Sequence, residues 1–186
     1  MIRALLAKIR AFSAATGGVA AVEFALVLPI LLFVYVGSFE ASQLIIADRR
    51  VTTVAGTLGD LVARSKDSIT AATLNNYFGA ASLTMGPMST VGLTQVVSVV
   101  NVDADGVAKV AWSRAYPAGT TARTVNSVYD MSSAPQMLDL AKGKSVIVAE
   151  AGFTYHPLAN LVFHADIPLS RTNFYLPRFE GTISCC

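Results

Sequence analysis

Gly17 to Phe39 reads GGVAAVEFALVLPILLFVYVGSF, and its one charged residue is Glu23. Val19 to Phe39 are 21 residues, which as a helix rise about 31 Å at 1.5 Å per residue. A bilayer's hydrocarbon core is roughly 30 Å thick, so residues 19–39 are read as a transmembrane helix in contact with membrane lipid. A charge inside such a span costs about 2.5–3.5 kcal/mol even on lenient scales. Glu23, four residues into the span, must reach the headgroups by snorkelling, be neutralised, or meet a cation in a partner.

Working outward, the preceding segment carries Arg3, Lys8 and Arg10 and no acid. Ile2, Leu5, Leu6, Ile9 and Phe12 recur at helical spacing, which predicts a short amphipathic leader over residues 1–18. The positive-inside tendency keeps this end in the cytoplasm and exports the remainder. The other flank is mixed, with Glu40, Asp48, Arg49 and Arg50.

Beyond the span, Leu44, Ala47, Val51, Val54, Leu58 and Leu61 fall on one face. One long helix, Val19 to Ala63, is therefore expected, its part over residues 40–66 being an amphipathic stem. Pro29 removes one backbone hydrogen bond and should kink or loosen it. Gly56 and Gly59 either weaken its far end or allow close packing. Ser68 is read as the N-cap of a short helix, Ile69 to Phe78, closed by Gly79. The period then changes to two. Leu93–Val102 and Val107–Arg114 flank the hairpin signal Asp103-Ala104-Asp105-Gly106, with Val110 and Trp112 placed together on the core face. Pro135–Ala141 suits a helical turn or two, and Ser145–Tyr155 and Ile167–Leu176 suit two further strands. The fold class is thus α+β: a long N-terminal membrane-spanning helix followed by a small antiparallel sheet domain over residues 67–186.

Composition narrows the function. The chain has 186 residues and a net charge of +2, room for one span and one modest domain. Scattered basic residues without interleaved aromatics argue against nucleic acid as a partner. Asn101-x-Asp103-x-Asp105-Gly106 imitates a calcium loop, but the twelfth position, which needs a bidentate acid, is Trp112. Gly143-Lys144-Ser145 lacks the upstream glycine of a phosphate loop, residue 138 being Leu. His156 and His164 have no helical partner, and no catalytic, cofactor-binding or metal-ligating set is expected, nor a small-molecule substrate. Adjacent cysteines make only a strained vicinal ring, so Cys185 and Cys186 are read as two thiols in a frayed tail, with an intermolecular bridge or an unseen partner as alternatives.

One arrangement at the head of the span is specific. Glu23 is the fifth residue after Gly18 and is followed by Phe24, and Pro29 closes the string GGVAAVEFALVLP. This resembles the prepilin-type signal of Flp/Tad pilus proteins, and in particular the N-terminus of the TadE-like and TadG-like family. Ser98-Val99-Val100, Val110 to Arg114 and the ending Phe174-Tyr175-Leu176-Pro177-Arg178 resemble TadE-like C-terminal domains more loosely. The resemblance implies a bacterial inner-membrane protein with a pilin-like fold, a minor pilin or pseudopilin. A prepilin peptidase would cut between Gly18 and Val19. Glu23, Phe24 and Pro29 would serve assembly with other pilin and Tad assembly proteins, Glu23 accepting a neighbour's N-terminal amine. Two rival readings are an uncleaved membrane anchor of the same family and a membrane-tethered exported binding domain.

Overall fold

A computed structural model describes residues 18–157, 162–179 and 181–186; the leader read over residues 1–18 lies outside them except for Gly18. Helix α1 runs Val19–Ala63, the limits expected, and continues unbroken through Pro29. At about 1.5 Å per residue it is about 67 Å long. Residues 18–35 are exposed all round, and burial starts only after Tyr35. The second half lies on a sheet.

That sheet has four antiparallel strands in the order β3-β2-β4-β5, with β2 Thr94–Val102, β3 Ala108–Tyr116, β4 Ser145–Tyr155 and β5 Ile167–Tyr175. On one face α1 lies against β4 and β5, and helix α2, Ala71–Leu83, lies beside α1. Phe78 of α2 reaches Tyr116 on β3 in a stacked pair with centroids 5.5 Å apart. Val97, Val99, Trp112, Ile147, Ala149 and Ala151 are buried beneath the two helices. On the other face Val100, Val102, Ala108, Val110, Val146 and Val148 are covered by Met131, Ala141 and half-buried residues that include Met137 and Leu138 of the short helix α3, Pro135–Leu140. The α+β class and the order of long apolar helix, then small antiparallel sheet, are those read from the sequence.

The core stripe of α1 drifts. Ala47, Val51, Val54 and Leu58 are fully buried as expected, but Leu61 is only half-buried, and Ala55, Gly59, Val62 and Ala63 complete the face. A strict repeat of 3.5 drifts by roughly 20° per heptad on a straight helix, so by the last turn position 62 has replaced 61. The glycines allow close packing: a Cβ on Gly59 would sit 2.5 Å from ring carbons of Tyr175. The segment after Tyr175 then closes the helix. Arg178 donates its backbone N–H to the Ala63 carbonyl at 2.9 Å and its guanidinium to Asp60.

Three expectations are corrected. Helix α2 starts at Ala71, capped by Thr70, whose Oγ1 accepts the Thr73 N–H at 3.2 Å, and it runs through Gly79 to Leu83. Ser68 is not its cap because Ser68–Ile69 forms a short strand, β1, paired in parallel with β6, Ser184–Cys185. Cys185 and Cys186 are accordingly no frayed pair of thiols: the tail is docked, and the two are joined by a disulfide. Third, Val110 and Trp112 face opposite sides of the sheet. Val99 pairs with Trp112 but Val100 with Val110, so Ala111 is an extra residue. A bulge of one residue reverses the alternation.

Candidate functional site

The feature that the fold leaves uncovered is the first half of α1. Its apolar window has a mean hydropathy of 2.5 with none of it buried, enough by length and composition to cross a membrane. A helix suits such a rod, since its backbone groups bond internally except at the ends and at the Ala25 carbonyl, which Pro29 leaves without a helical donor.

Gly18 precedes the first helical residue, Val19, with φ −85° and ψ −13°, ordinary right-handed geometry. A Cβ placed there would meet nothing within 4 Å. Among the described residues nothing demands glycine at this position. Glu23 is the fifth helical residue, beyond the first turn, so it caps no helix N-terminus. Its helical neighbours at spacings of three, four and seven are Val19, Leu26, Val27 and Ile30, exposed by 56, 71, 47 and 64%. The carboxylate thus stands on an apolar face. Phe24 adjoins it, 59% exposed, and Pro29 lies inside the same helix. Val19 and Glu23 stand one turn apart and share a face; Gly18 adjoins them at the helix start, and Phe24 and Pro29 follow on the rod.

The rod meets the domain at Glu40, which is 1% exposed. Its Oε2 accepts the Val162 N–H at 2.9 Å and the Phe163 N–H at 3.4 Å. In the sequence Glu40 belongs to the mixed polar flank of the span. Only the return of the β4–β5 connection to the helix buries it, and no local pattern signals that. Tyr155 is buried beside it, and burial with the nearby Glu40 charge raises its phenol above the ordinary value.

The other motifs resolve as structure. Asp103 Oδ1 accepts the N–H groups of Asp105 at 3.0 Å and Val107 at 2.8 Å, closing a hairpin turn. Gly143 has φ +74°, a left-handed turn that leads into β4. His156 pairs with Asp166 at 2.6 Å, both exposed. Among the described residues no group of three His, Cys, Asp or Glu side chains could hold a metal. A cleft of about 560 Å³ opens at the end of the sheet beside Asn101, Lys144, Ser145 and Arg178. Two of its polar pairs are already engaged, Ser145 Oγ donating to Asn101 Oδ1 at 2.7 Å and Arg178 to Asp60.

An exposed apolar helix leading into a helix-on-sheet domain makes an α+β protein whose first helix fits a membrane anchor. Residues 18–57 match the family model described as TadE-like protein. Over this stretch the chain is similar to that family. The match ends inside α1, so the sheet domain is outside it. Neither the curated proteins nor the solved structures gave a match.

Proposed function

We propose that this chain is a minor pilin or pseudopilin of a Tad/Flp-type pilus, anchored in the bacterial inner membrane with its N-terminus cytoplasmic and residues 67–186 exported. A prepilin peptidase cuts after Gly18 and frees the amine of Val19. The exposed half of α1 then leaves lipid for a bundle with other pilin and Tad assembly proteins. Glu23 accepts a charge-assisted hydrogen bond from a neighbour's freed amine, which removes the cost of an unpaired carboxylate in hydrocarbon. Phe24 and the apolar residues around Pro29 supply the packing.

The observation that carries this reading is a bare apolar rod bearing one acid, five residues after a glycine that the fold does not require. A glycine without structural duty suits a protease cleft, where the absence of a side chain lets the enzyme close on the scissile bond. Intact mass of membrane-extracted protein, made together with the cognate peptidase, tests it. Wild type should begin at Val19, and Gly18→Val should keep the leader. A wild-type protein that retains Met1 under those conditions would replace the reading with an uncleaved anchor.

A further inference from the structure

The β4–β5 connection returns to α1 at the level where the apolar stretch ends. A Cβ on Gly37 would lie 3.0 Å from Cγ2 of Val162, so Val162 is seated two residues before Phe39. Three residues further on, the buried Glu40 holds the N–H groups of Val162 and Phe163. Val162 stays 39% exposed although it is apolar. Phe163 is half-buried and His164 exposed.

We infer that Val162 to His164 enter the boundary between acyl chains and headgroups of the bilayer that α1 spans; this rests on the membrane reading of α1. The level is set by arithmetic. Val19 to Tyr35, bare in the fold, rise about 26 Å, short of the roughly 30 Å of hydrocarbon. A core centred on the apolar stretch therefore reaches Gly37, and whatever touches Gly37 stands at its edge. Backbone chemistry agrees. Non-helical N–H groups at that depth have no water to bond and must be satisfied within the protein. Glu40 does this for two consecutive groups, which explains why a carboxylate at the end of a span is turned inward rather than towards solvent. The exposed Val162 side chain then faces the zone where apolar groups partition favourably. Polar His156 and Asp166, paired and exposed, flank the segment. The loop gives the domain a second footing beside the helix, and so limits its tilt over the membrane.

The test uses the full chain in vesicles of phosphatidylethanolamine and phosphatidylglycerol. A solvatochromic amino acid is introduced by codon suppression at Val162 or His164, the latter site being free of Val162's packing on Gly37. Control sites are Leu31 in the rod and the exposed Val128 on the sheet domain. Lipids carry a doxyl quencher near the headgroup or deep in the chain. Probes at Val162 and His164 should emit to the blue of Val128 and lose most emission to the shallow quencher, while Leu31 loses most to the deep one. If Leu31 is quenched and neither loop probe is, the inference falls and the span stands. A blue-shifted but unquenched loop probe also overturns it, placing protein, such as a second copy, over the segment. If Leu31 escapes both quenchers, the span reading itself fails.

Discussion

Trp112 shows how much one residue's neighbours can decide. Its ring is 8% exposed under the helices, and its Nε1 donates to the Ile183 carbonyl at 2.6 Å, tying the chain's tail to the sheet. Truncation to Ala should cost about 3–5 kcal/mol, the usual range for an aromatic core residue. Trp112→Phe keeps most of the packing but leaves a buried carbonyl without its donor, a loss of about 1–3 kcal/mol. Denaturant unfolding of the detergent-solubilised protein, followed by circular dichroism, gives both numbers; a Trp112→Phe variant as stable as wild type would mean that the hydrogen bond contributes nothing. That Trp112 is core was legible from a lone tryptophan in a valine-rich strand. Its separation from Val110 was not, because Ala111 carries none of the glycine or polar signals that mark a bulge. Asp60 offers a second residue-level test. The hydrogen bond from Arg64 holds its carboxyl below the usual value, burial opposes that shift, and Arg178 adds a weaker lowering. A depressed carboxylate stabilises the fold above its unfolded value and loses that contribution as pH falls through the folded one. Unfolding midpoints should therefore decline below about pH 4, and Asp60→Asn should flatten that decline. An unchanged acid limb in the variant would remove Asp60 from the account.

At the scale of elements, α1 was readable to the residue because hydropathy defines its first half and helical periodicity its second. The duty of its glycines was hidden, since the same residue weakens a helix in isolation and permits contact in a fold. Gly59→Ala should destabilise by about 1–3 kcal/mol, because the added methyl meets the Tyr175 ring and, at 3.1 Å, the Ala149 side chain. Gly79→Ala in α2 meets nothing within 4 Å and should stabilise by about 0.5–1 kcal/mol. Thermal unfolding of the pair separates the two roles, and a stabilising Gly59→Ala would contradict the packing of helix on sheet described above. The start of α2 was misread for a different reason. Ser68 is a good cap in local terms, but it is claimed by a strand partner over a hundred residues away, and local patterns carry no record of such pairs.

For the whole molecule, the anchor-plus-sheet plan was legible because membrane and sheet impose different periods on one chain. Glu23 stood out in the sequence because a charge breaks an apolar span, and Gly18 because the string it opens resembles the prepilin-type signal. Glu40 did not stand out, for an acid beyond a span is expected to face water. The two acids differ: Glu40 secures the chain to itself, whereas Glu23 is the one that the proposed assembly pairs with a neighbour. Within one helix the Val19 amine, once freed, also lies a turn from its own Glu23, so only an intermolecular readout bears on assembly. The measurement is cross-linking of Glu23→Ala protein to other pilus subunits in cells, with surface pili counted in parallel. Removing the acid makes the span more apolar, so the variant should insert normally and still be cut after Gly18. It should lose cross-links and pili together, because a partner's buried amine is left uncompensated at roughly 3–5 kcal/mol, while Glu23→Asp retains part of both. Normal cross-linking and normal piliation by Glu23→Ala would contradict the pairing on which the proposed assembly depends.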